Sequence, residues 1–152
     1  MPPALTPALA LDYVHELSAD VRAGIVLDAA GELLAGPPAL ADPARELLSA
    51  GGDAAEVEAA TVDGVVCAVS SASHAAVAVC GRFAIAGVVR QDLRTALAAL
   101  EGRAPADPPA TPSGRPRDAL GTSPAAVHDA SEPALMTAAN RLISAVQRHS
   151  CA

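Results

Sequence analysis

The side chains best suited to chemistry lie in one short stretch, Ser70, Ser71, Ser73 and His74, with Cys67 and Cys80 on either side. A hydroxyl becomes a nucleophile when a base takes its proton and a third group orients that base. Serine and histidine stand together here, but no third member can be identified. Serines clustered between two apolar runs are ordinary turn residues. Cys67, His74 and Cys80 do not have metal-site spacing: thiols packed inside strands rarely converge with a turn histidine, and no Cys-x-x-Cys is present. Cys67 and Cys80 read instead as small buried hydrophobes, Cys151 as an exposed terminal residue, and His15 as a solvated helix residue. The chain has no G-x-S-x-G, G-x-x-x-x-G-K-[ST] or H-E-x-x-H, and no G-x-G-x-x-G follows a strand. Every basic residue is arginine, so lysine chemistry is impossible. Arg45, Arg82, Arg90 and Arg94 have the charge that stabilises phosphoryl transfer, but solvated helix faces are the simpler assignment. The expectation is a non-enzymatic chain with no catalytic, cofactor-binding or metal residues.

Something other than catalysis must then organise the 152 residues, half of them apolar. That length and composition suit one globular domain with appendages. With one Phe, one Tyr and no Trp, the core must be built from Val, Leu, Ile and Ala. The abundance of Ala, Gly, Pro and Arg without Lys points to a GC-rich, bacterial genome. Residues 1–103 carry a net charge of −7 and the remainder is neutral. An acidic folded part without aromatic stacking platforms argues against nucleic-acid binding. The N-terminus lacks a basic n-region and a long apolar run, so the expectation is a cytoplasmic protein with no membrane insertion.

The central stretch is Gly24 to Gly36, GIVLDAAGELLAG. Ile25 and Val26 meet an Asp28-Ala29-Ala30-Gly31 turn, and Leu33, Leu34 and Ala35 follow, which predicts a β-hairpin. Before it, Thr6-Pro7 suits a helix start, with Leu9, Tyr13, Val14 and Leu17 on the apolar face. After it, Gly36-Pro37-Pro38 breaks the chain, and a helix from about Leu40 to Ala50 presents Leu40, Ala44, Leu47 and Leu48. From Ala54 the period changes to two, with Val57, Ala59 and Thr61 alternating with Glu56, Glu58 and Ala60. Asp63-Gly64 turns the chain into two fully apolar strands, Val65 to Val69 and Ala75 to Cys80, as expected for the interior of a sheet. A third helix runs toward Gly102 with Ile85, Val88, Val89, Leu93, Ala96, Leu97 and Leu100 inward and Arg90, Gln91 and Arg94 pointing away.

Residues 104–130 have the proline-rich composition of a linker. Helical periodicity resumes over 131–149, with Ser131 or Asp129 suited to the N-cap and Leu135, Ala139, Leu142, Ile143 and Val146 forming an apolar stripe. A helix with so narrow a stripe is marginal alone in water. It should dock on its own domain, on a second copy or on a partner.

The order predicts an α+β fold, α-β-β-α-β-β-β-α, with a five-stranded antiparallel sheet and helices on both faces. Over roughly Leu5 to Glu101 the chain resembles the roadblock family, the dynein light-chain and GTPase-adaptor type. The resemblance rests on AGIVLDAAGELLAG after an amphipathic helix, TVDGVVCAV and AAVAVC as the meander, and IAGVVRQDLRTALAAL as the last helix. It implies a roadblock/profilin-like domain over 1–103 that is non-enzymatic, homodimeric and a binder of a small Ras-like GTPase, with hydrolysis stimulated in some members. It also implies a dimer surface formed by Leu40, Ala44, Leu47 and Leu48 with the strand Glu56, Val57, Glu58, Ala59 and Thr61. The alternatives are a ligand sensor of GAF or PAS type, whose domains also open strand-Asp-x-x-Gly-strand, and a scaffold that recruits a signalling partner through its C-terminal helix.

Overall fold

A computed structural model describes residues 5–103 and 132–150. Helix α1 (Pro7–Leu17) is followed by β1 (Val21–Asp28) and β2 (Leu33–Ala35). A single 3-10 turn, Pro38–Leu40, leads into α2 (Ala41–Ala50). The meander β3 (Glu56–Ala60), β4 (Val65–Ser70) and β5 (His74–Cys80) precedes α3 (Ala86–Leu100), and α4 (Glu132–Ser150) closes the described chain. All pairings are antiparallel in one five-stranded sheet of order β2-β1-β5-β4-β3. The fold is the expected α+β arrangement with helices on both faces.

Local chemistry accounts for most element ends. The Thr6 hydroxyl accepts the Leu9 N–H at 3.3 Å, which caps α1. Asp28 accepts the Ala30 and Glu32 amides through one carboxylate oxygen, forming the hairpin turn, and Gly31 closes it at φ 85°. Gly36 is required where the chain leaves β2. Its φ is 107°, and a Cβ there would lie 2.5 Å from the Gly24 carbonyl oxygen.

The sheet separates two apolar layers. On one side α1 and α3 cover Val21, Val26, Val65, Cys67, Val69, Ala76, Ala78 and Cys80. On the other, α2 and α4 cover Ile25, Leu27, Val57, Ala59, Val66, Ala68, Val77 and Val79. Alternation along β4 and β5 sends successive residues to opposite layers, so both strands are apolar throughout.

Several expectations need correction. The buried stripe of α1 is Ala10, Leu11 and Val14, whereas Leu9 (55 %) and Leu17 (50 %) are exposed. Small Ala10 permits close approach, and Leu11 packs over Gly24, where a Cβ would come within 3.0 Å of it. Ile85, which precedes α3 as its N-cap residue, and Val88, in the first turn of α3, stand outward. Thr61 lies beyond β3. Its hydroxyl accepts the Asp63 and Gly64 amides and donates to the Gly64 carbonyl, making it a turn residue. His74 is the first residue of β5, opposite Asp28, rather than a loop residue. The hydrophobic core does not end near Arg103, since α4 adds Leu135, Ala138, Ala139, Leu142, Ile143, Ala145 and Val146 to the α2 layer. The linker expected over 104–130, both N-cap candidates of α4 and Cys151 lie outside the described residues.

Candidate interaction surface

The 3-10 turn and α2 place Leu40, and Ala44 and Leu47, under α4, where all three are buried and Leu48 is half-buried. These residues were expected on a dimer surface. In the structure they line an intramolecular seam against Leu135, Ala139, Leu142, Ile143 and Val146. An ion pair from Arg141 to Glu46 crosses the seam. Open clefts flank the helix pair, one lined by Arg45, Glu46, Ser49, Pro133 and Thr137, the other by Asp42, Pro43, Asn140, Arg141 and Arg148.

Strand β3 is a sheet edge. In its ladder the Ser70 amide donates to the Ala55 carbonyl at 2.8 Å and the Thr61 amide to the Gly64 carbonyl at 2.8 Å. With Val57 opposite Ala68 and Ala59 opposite Val66, the backbone groups of odd-numbered residues point to β4. Those of Glu56, Glu58 and Ala60 therefore face outward. Acidic side chains normally blunt such an edge, but here α3 engages them. The Arg90 guanidinium donates to Glu56 at 3.1 Å and lies 3.6 Å from Glu58, and Arg94 also pairs with Glu56. Arg90 and Arg94 therefore do not point away from the fold. The sequence concealed this because the partners stand 34 and 38 positions apart. Val57 and Ala59, on the opposite face of the strand, are buried.

The hydroxyl and histidine cluster is a structural tie. Ser71 Oγ donates to Glu101 Oε1, and His74 Nδ1 lies 3.4 Å from the same oxygen. Arg103 pairs with the other carboxylate oxygen. Burial pushes the Glu101 pKa up, but the hydrogen bonds from Ser71 and His74 and the charge of Arg103 prevail and hold it below the ordinary value. Ser71 donates to the carboxylate and not to the imidazole, so the serine–histidine hydrogen bond of a nucleophilic pair is not formed here. The cluster fastens the β4–β5 turn to the end of α3.

Cys67 and Cys80 are free and buried, and burial pushes both thiols up to about 12. A thiol held protonated is neither a nucleophile nor a metal ligand at neutral pH. Among the described residues no group of three His, Cys, Asp or Glu side chains is arranged to hold a metal ion. Arg45 is already engaged, donating through Nε to the Gly31 carbonyl at 2.6 Å and through a terminal nitrogen to Asp42 at 2.6 Å. Arg82 lies over the Phe83 ring at 4.6 Å from its centroid.

No family model matches the sequence, and no curated protein matches it. By structure the chain is similar to the crystal structure of the Roadblock/LC7 domain from Streptomyces avermitillis. The identity is 18 % and the TM-score 0.49, over 58 % of this chain and 91 % of that one.

Proposed function

We propose that this chain is a non-enzymatic regulatory and scaffolding module that binds a small Ras-like GTPase and works as a homodimer in the cytoplasm. The observation that carries the reading is the β3 edge. Its outward backbone groups are unpaired by any described strand, its carboxylates are neutralised by Arg90 and Arg94, and it adjoins the α2 layer. A free edge of this kind accepts another strand. The sequence resemblance to roadblock proteins supplies the partner class, which is an argument by analogy.

A ligand sensor is less well supported. The single phenylalanine stands 79 % exposed, whereas small-molecule chambers draw on enclosed aromatic and apolar walls. Recruitment through a free C-terminal helix is also less well supported, because the apolar stripe of α4 is spent on its own domain.

The test is affinity capture with the full chain from lysate of the source cell, in buffers with a GTP analogue or GDP. Binding and hydrolysis are then measured with the purified GTPase. Saturable, nucleotide-dependent binding is expected. Replacing Arg90 or Arg94 with Ala, measured at saturating chain, should cost far less than the roughly 10³-fold loss expected for an arginine finger, because both side chains are engaged by Glu56. Absence of binding in both nucleotide states would reject the GTPase assignment.

A further inference from the structure

Pairing of β3 with a second β3 would form backbone hydrogen bonds but cover little apolar surface. On the α3 side the strand shows Glu56 and Glu58, tied to arginines, and on the other side Val57 and Ala59 are already buried. A stable interface buries about 800 Å² on each partner. The apolar surface continuous with this edge is the layer of β3, Leu40, Ala44 and Leu47, and α4 lies upon it.

The manner in which α4 is held suits release. Three of its seven core residues are alanines, Ala138, Ala139 and Ala145, which allow close approach but bury little surface each. Among the described residues one ion pair crosses to α2, between the half-exposed side chains of Arg141 and Glu46, and open clefts run along both sides of the seam. The helix joins the rest of the described chain through residues 104–131, whose sequence is linker-like.

We propose that α4 is a detachable cover carried in cis, and that the surface beneath it joins two copies of this chain once α4 lifts. The proposal rests on the homodimer reading above. Tethering gives α4 an effective concentration on the order of millimolar, so the cover outcompetes a second copy at micromolar protein. Anything that draws α4 away converts monomer into dimer.

Sedimentation of three full-length forms at micromolar concentration tests this. The wild type should sediment as a monomer. Leu142→Glu, which places a charge in the seam, should sediment as a dimer. Adding Ala60→Pro to it removes an outward N–H of β3 without disturbing the β4 ladder, and should restore the monomer. A synthetic helix of residues 132–150, added to Leu142→Glu, should do the same. A folded Leu142→Glu chain that stays monomeric overturns both the cover and the dimer. A wild-type dimer whose α4 amides stay protected overturns the cover alone and leaves the dimer standing.

If Leu142→Glu loses cooperative unfolding, the wild-type chain cut at a protease site introduced within residues 111–125 replaces it. Dilution should then release α4 and produce a dimer of the core. Persistence of a folded core monomer after release overturns the proposal. GTPase binding is read separately, so its failure is not confused with failure of the cover.

Discussion

Glu101 shows how one carboxylate replaces a catalytic assignment with a mechanical one. It accepts from Ser71 and His74 while its own side chain is only 10 % exposed, and its pKa lies below the ordinary value. A depressed carboxyl pKa stabilises the fold above the unfolded-state pKa, and that contribution is lost as pH falls through the folded value. Glu101→Gln should therefore cost about 1 kcal/mol at neutral pH. In thermal melts the gap from wild type should close as the pH drops below the ordinary glutamate range; a gap that persists there would contradict the assignment. The buried thiols make a second prediction. With Cys67 and Cys80 protonated and covered, a thiol reagent at neutral pH should modify at most Cys151 in the native chain. The other two should react only as fast as the protein unfolds.

Helices and strands differ in how much of their placement is local. The Asp28 turn and the alternation of β3 follow from adjacent residues, and the hairpin, meander and third helix were legible for that reason. The inward face of α1 was not. Its larger residues, Leu9, Tyr13 and Leu17, suggested a stripe, but Ala10 and Leu11 fit the sheet where Gly24 leaves room. Leu9→Ala should accordingly change stability by no more than about 0.5 kcal/mol. Leu142→Ala, in α4 and fully buried, should cost about 2–5 kcal/mol by chemical denaturation. Equal costs would contradict the assigned faces. The candidate surface was harder to read than the fold. The residues Leu40, Ala44 and Leu47 were recognisable as an apolar face, but what covers that face is set by α4, nearly a hundred positions away. The pairing of Glu56 with Arg90 and Arg94 is equally non-local.

At the scale of the whole molecule, a sheet with two apolar layers is completed by a helix that lies beyond residues 5–103. No helix among the described residues is long and apolar enough to cross a membrane. The acidic charge is concentrated over residues 1–103, so association of two copies must overcome like-charge repulsion. Added salt should therefore strengthen dimerisation of the Leu142→Glu chain, as screening at physiological ionic strength acts over about 8 Å. A salt-weakened dimer would point to an interface dominated by ion pairs. Amide hydrogen exchange tests most directly whether α4 covers α2 beside an open β3 edge. In the wild-type monomer the amides of α2 and of Val57 and Ala59 should be strongly protected, while those of Glu56, Glu58 and Ala60 exchange freely. Protection of those three outward amides at monomeric concentration, or rapid exchange throughout α2, would contradict it.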